Sequence, residues 1–258
     1  MFIGRSSRID IVGYQNKGFT SGYNYVANTF VPVGGERESM TLGDIKPNSE
    51  FIASTIQFLT SGGATAKVTV EGLGTVKAVY SYWTEADGPS DGAGWYLDAD
   101  ENQEFNQNNR IVPFGDAYCV ERDALETDAQ LVYSGEVDTA PVTKSFNSGY
   151  NYIGNCAPTN LTLGDITPNE EFIASTIQFL TSAGATAKVT VEGLGTVKAV
   201  YSYWTEADGP SDGAGWYLDA DENQEYNQNG RIIEAGSAFC VERDVLETEA
   251  TLTIPSAL

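Results

Sequence analysis

The stretch AKVTVEGLGTVKAVYSYW, Ala66 to Trp83, reads as strand, turn, strand. Lys67 to Val70 and Thr75 to Val79 are β-branched runs, and Glu71-Gly72-Leu73-Gly74 between them supplies two glycines for the positive φ a tight hairpin requires. Just beyond, Tyr80-Ser81-Tyr82-Trp83 is expected to pair with Trp95-Tyr96-Leu97. The loop Thr84 to Gly94 between them is rich in Gly, Pro, Ser and Asp, which do not sustain a ladder. Working outward, further strands are expected near Ile9 to Gly13, Tyr23 to Val31, Ser54 to Leu59, Ala66 to Val70, Thr75 to Trp83, Trp95 to Leu97, Ala117 to Glu121 and Gln130 to Tyr133. Helix signals are confined to single turns at Thr41 to Ile45 and Thr162 to Ile166, which leaves no segment for parallel crossovers. The chain is therefore expected to be all-β, with antiparallel sandwich or barrel-like domains.

That hairpin occurs twice. Glu50 to Glu104 returns as Glu171 to Glu225 with one mismatch, Gly62 against Ala183, so one unit is written two times. A period of about 120 residues suits a domain with its own core rather than a solenoid repeat. Two tandem β domains are expected, residues 1–135 and 136–258, with the boundary in Ser134 to Ala140. The copies differ at their leading strands, at VPVGGERESM against APTNL, and in their tails. Those parts should meet different neighbours. Strands at the two chain ends, the last within TLTIPSAL, are expected to be free to pair with the next molecule by strand addition.

Composition narrows the partners. With 258 residues, 41% hydrophobic and 11% aromatic, the chain can bury two cores. Its 36 acidic and 14 basic residues give a formal charge of -22, which repels phosphate backbones and anionic headgroups. Neither nucleic acid nor membrane insertion is expected, and no apolar run approaches the roughly 18 to 20 residues needed to span a bilayer. Divalent cations or salt would relieve the self-repulsion, which brings calcium into consideration. Three cysteines make no disulfide framework; Cys119 and Cys240 match between copies, Cys156 has no counterpart, and a free thiol on a strand is the expectation.

The absence of histidine removes Ser-His-Asp and Cys-His catalysis and most zinc or copper sites. No phosphate-cradling glycine motif is present. Glu85, Asp87, Asp91, Asp98, Asp100 and Glu104 could in principle form a glycosidase carboxylate pair, but acidic residues this plentiful are expected on solvated faces, so no enzyme is expected. A sharper signal is Asp98, Asp100, Asn102 and Glu104, repeated as Asp219, Asp221, Asn223 and Glu225, with oxygen ligands at alternate positions as calcium loops have them. Gln103 stands where a helix-loop-helix calcium site has glycine, so the loop is not of that type. Tyr80, Tyr82, Trp83 and Trp95, with Tyr201, Tyr203, Trp204 and Trp216, offer an aromatic platform for a sugar ring. Alternation puts Tyr80 with Tyr82 on one face and Trp83 on the other.

Each copy strings together G-[YF]-N-x-[VI]-x-N (Gly22 to Asn28, Gly149 to Asn155), T-L-x-D-[IL] (Thr41 to Ile45, Thr162 to Ile166) and T-I-Q-F (Thr55 to Phe58, Thr176 to Phe179). An aromatic hairpin ends in G-W-Y (Tyr80 to Tyr96, Tyr201 to Tyr217), and in copy one a closing strand follows P-x-G (Pro113 to Val120). In copy two Glu234-Ala235-Gly236 replaces the proline. This order resembles a domain of bacterial secreted and cell-surface proteins, and the resemblance implies an all-β surface module without established activity. The function expected is a non-catalytic structural subunit of an extracellular or cell-surface filament or lattice, partnered by itself head to tail. The alternative is a carbohydrate-binding adhesin. Met1 to Arg8, without an apolar segment, is not expected to act as a secretory signal, and covalent wall attachment through a sortase-type signal is not expected.

Overall fold

Strand alternation and turn chemistry govern the part of the chain that the computed structural model describes, residues 12–51, 54–84, 92–123, 128–181, 183–205, 213–244 and 249–255. Copy one runs β1 (Val12–Gly18), β2 (Gly22–Ala27), β3 (Lys46–Pro47), β4 (Ser54–Phe58), β5 (Lys67–Val70), β6 (Gly74–Lys77), β7 (Val79–Trp83), β8 (Gly94–Leu97), β9 (Ala117–Arg122) and β10 (Gln130–Glu136). Copy two runs β11 (Val142–Ser145), β12 (Gly149–Gly154), β13 (Leu161–Thr162), β14 (Thr167–Pro168), β15 (Ser175–Phe179) and β16 (Lys188–Val191). It continues with β17 (Gly195–Lys198), β18 (Val200–Trp204), β19 (Gly215–Leu218), β20 (Ile232–Ile233), β21 (Ala238–Arg243) and β22 (Thr251–Ile254).

The protein is all-β, and among the described residues its antiparallel sheets stay open rather than closing into a barrel. Copy one holds a five-stranded sheet, β2-β9-β4-β7-β8, a three-stranded sheet, β1-β10-β3, and the β5–β6 hairpin. Copy two repeats them as β12-β21-β15-β18-β19, β11-β22-β14 and β16–β17. The expected hairpin closes with Val70 opposite Gly74 and Gly72 at φ +88°. The aromatic pairing sets Tyr82 opposite Trp95 and Trp83 opposite Gly94. Thr41 and Thr162 each open a single 3-10 turn, their backbone N–H and hydroxyl both donating to Asp44 and Asp165.

The core of copy one lies between its two sheets. Tyr118 and Val120 of β9, Ile56 of β4 and Tyr80 of β7 face Leu131 and Tyr133 of β10. Phe51 and Tyr82 meet Trp95 edge to face, with ring centroids 5.8 and 5.3 Å away. Phe172, Tyr203 and Trp216 repeat the arrangement in copy two.

Three expectations change at the strand ends. Tyr23 to Val31 is not one strand, because β2 stops at Ala27. The Asn28 amide donates to Phe30 O at 2.8 Å while Phe30 N–H donates to Asn28 Oδ1 at 3.1 Å, a side-chain turn that competes with the ladder. The first described strand runs Val12–Gly18 instead of ending at Gly13, with residues 9–11 outside the described residues. The closing strand is not free: β22 has β11 on one side and β14 on the other, and its Leu252 and Ile254 are buried. With both edges paired, β22 is not open for strand addition. β1 pairs on one side with β10.

Candidate functional site

The described structure is most specialised where the two copies meet. β2 and β12 are the outermost strands of their five-stranded sheets, a position that leaves backbone groups unpaired unless something covers them. Each is met by the other copy. Val26 bridges to Ser237 and Ile153 bridges to Asp116, while Ala27 N–H donates to Gly236 O at 3.0 Å and Gly154 N–H to Gly115 O at 3.2 Å. Val26 matches Ile153 in the repeat and Asp116 matches Ser237, so these are one contact made twice in opposite directions. The pairing is isologous, as in a twofold dimer.

Tyr25 and Tyr152, matched residues, stack across this contact with centroids 5.5 Å apart and planes at 29°. Each ring also presses on a glycine of the other copy. Gly63, φ +78°, turns the loop after β4, and a Cβ added there would sit 2.7 Å from Tyr152 Cζ; one added at Gly184, φ +75°, would sit 2.6 Å from Tyr25 Cε2. Only glycine allows both the turn and the close approach.

A cleft flanks the stack on each side. One, of about 220 Å³, is lined by Thr60, Asp116, Lys144, Asn151 and Tyr152; its mate, of about 140 Å³, by the matched Thr181, Ser237, Lys17, Asn24 and Tyr25. Lys144 donates to Phe114 O at 2.7 Å and pairs with Asp116 at 2.8 Å. Lys17 donates to Ala235 O at 3.3 Å, and burial pushes its amine down against the opposing pull of Glu234. Asp116 is half exposed, so its ion pair contributes less than about 1 kcal/mol.

The insertion in copy one has a structural role. Its Arg37 donates to Asp138 and to the Ala140 carbonyl, and its guanidinium lies 5.6 Å from the centroid of Phe114. Gly34 N–H donates to the Glu136 carboxylate at 2.9 Å. The stretch from β10 to β11 is thereby held against copy one, while Val31 and Phe114 join the apolar cluster of copy two.

The acidic runs form braced turns. Asp100 is buried, its carboxylate accepts Phe105 N–H at 2.8 Å, and its carbonyl accepts Gln103 N–H at 3.0 Å, with Gln103 in the left-handed region at φ 50°. Asp221 does the same for Tyr226, with Gln224 as the left-handed residue. Asp98, Asn102 and Glu104 stay exposed, as do Asp219, Asn223 and Glu225. Among the described residues no three carboxylate or thiol groups converge as a metal site would require. Glu85, Asp87 and Asp91 lie outside the described residues.

The aromatic platform is corrected to core. Tyr80, Trp95, Tyr201 and Trp216 have no accessible surface, and a ring without surface cannot stack on a sugar. Trp95 Nε1 donates inward to Ile45 O at 3.3 Å. Tyr82 and Tyr203 are half-buried against these rings, and Trp83 and Trp204 are half-buried on the opposite face. The exposed aromatics among the described residues are instead Tyr14 on β1 and the matched Tyr23 and Tyr150, the last two with hydroxyls that bond to Glu121 and Glu242. Those carboxylates also accept from Gln57 and Gln178. Sequence reasoning missed both this row and the interface, although Tyr23, Tyr25 and Gly63 recur in copy two as Tyr150, Tyr152 and Gly184.

All three thiols are free and buried, and burial pushes Cys119 up to about 12 and Cys156 and Cys240 up to about 11. A thiol reagent at pH 8 is expected to leave the native protein unlabelled and to modify three cysteines in denaturant. Since the folded values lie above the ordinary 9.0, this part of the stability is complete below pH 9 and is lost as pH rises through 11 to 12. A chemical-denaturation series across that range checks it.

Among the described residues no helix is long and apolar enough to cross a membrane, which says nothing of a β-barrel. No family model, curated protein or solved structure matches the chain.

Proposed function

We propose that this chain is a non-catalytic structural subunit of an extracellular or cell-surface assembly, a filament or lattice, in which it serves as a two-ended block. The reciprocal contact between the copies carries this reading. β2 and β12 meet, so β8 and β19, the opposite edges of the same sheets, lie at the two outer ends. Those ends are written in the duplicated letters Glu50 to Glu104 and Glu171 to Glu225, so the block offers one surface twice. A subunit with two equivalent ends bridges like partners, itself included, and gains avidity from doing so. The formal charge of -22 opposes association until salt or divalent cations, calcium among them, screen it.

The resemblance to secreted and surface modules supports the location. The glycan-binding alternative has lost its central rings to the core. Negative-stain microscopy and light scattering over a series of salt and calcium concentrations provide the test. Filaments or lattices that form as charge is screened are expected; particles of monomer mass at every condition, up to high protein concentration, would remove the assembly role.

A further inference from the structure

Where the pseudo-twofold axis passes between the copies, the matched residues are not alike. Ala27 and Gly154 end β2 and β12, and each donates its N–H across the interface. A methyl built on Gly154 overlaps the methyl of Ala27, far inside the roughly 3.5–4.0 Å at which two carbons rest. Gly154 does not lie in the left-handed region, so its backbone makes no demand for glycine. The contact simply has room for one methyl. Two copies of the first kind would set alanine on alanine and collide, and two of the second would set glycine on glycine and leave a hole. The polar edge is equally one-sided: Lys144 meets Asp116, whereas the matched Lys17 faces Ser237 in its cleft.

We infer that residues 27 and 154 form a steric key restricting this interface to one copy of each kind, whether the two belong to one chain or to two. The partner that fits the face of copy one is therefore copy two of a second molecule, in place of the chain's own. Closure within the chain is favoured by the short 137–141 connection and its Arg37 clasp, with an effective concentration of order 1 mM. The inference rests on the interface alone and stands apart from the proposed assembly role.

The test uses the full chain in three variants. Gly154→Ala puts alanine on both sides and is expected to lower the melting midpoint by about 5 °C, as overpacking does. Ala27→Gly combined with Gly154→Ala reverses the key and is expected to restore most of that loss. The Ser237 carbonyl, 3.0 Å from the new methyl, is present in both variants, so the difference between them isolates the key. Finally, the Gly154→Ala chain and the Ala27→Gly chain are refolded together at about 1 mM. Exchange then gives every interface one alanine and one glycine, and a heterodimer of twice the monomer mass is expected that neither chain forms alone. A reversed key as unstable as Gly154→Ala, or a mixture whose scattering equals the sum of its parts, overturns the inference.

Discussion

Trp216→Ala is expected to cost copy two about 3–5 kcal/mol, the range for deleting a fully buried large aromatic. Trp216 has no exposed surface, and Phe172 and Tyr203 meet its ring edge to face at 5.8 and 5.2 Å. Nothing nearby is placed to fill the vacated volume, since β18 holds Tyr203 in register and the 3-10 turn Glu170–Ala174 holds Phe172. Against a whole-domain stability of roughly 5–15 kcal/mol, such a loss leaves copy two marginal. Calorimetry should show its transition falling by about 10 °C or more while the transition of copy one moves far less. Trp95→Ala should do the converse. An exposed sugar platform would respond in the opposite way, losing ligand and keeping its melt, so an unchanged transition in either variant would return these tryptophans to the surface.

What was legible in the sequence was local. The hairpin at Gly72 and Gly74 and the pairing of Tyr82 with Trp95 follow from turn residues next to alternating runs, and a few neighbouring letters carry both. Alternation also sorted Tyr80 and Tyr82 from Trp83. It could not say which face was core, because Leu131 and Tyr133, which cover that face, lie some fifty residues further along the chain. The Asp98 to Glu104 run was ambiguous for a different reason. Oxygen atoms at alternate positions suit a cation loop and a hydrogen-bonded turn equally, and the turn itself depends on Gln103 adopting a left-handed conformation that its side chain does not announce. The fate of β22 depended on β11 and β14, both about a hundred residues away in sequence. The interface was least visible. Tyr25 and Gly63 are ordinary letters until a twofold relation sets each against the other copy.

That relation makes Gly63 the residue whose change should most weaken the coupling between copies. Gly63→Ala places alanine at φ +78°, at roughly 1–2 kcal/mol for left-handed backbone. Its methyl also meets Tyr152, which cannot swing away freely because its other face is stacked on Tyr25. Gly74 supplies the control, since it has φ +82° with nothing within 4 Å of an added Cβ. Gly74→Ala should therefore show the backbone cost alone, and Gly63→Ala that cost plus a coupling of about 1–3 kcal/mol. Removing the ring should abolish the excess: in a cycle of Gly63→Ala with Tyr152→Ala, the double variant is expected to be more stable than the two single losses predict. Calorimetry should also resolve two transitions in Gly63→Ala if the wild type melts as one unit, because a weakened interface no longer holds the copies to a common temperature. Gly184→Ala against Tyr25 should reproduce all of this from the other side. Equal losses for Gly63→Ala and Gly74→Ala would mean that the tyrosine stack carries no coupling between the copies.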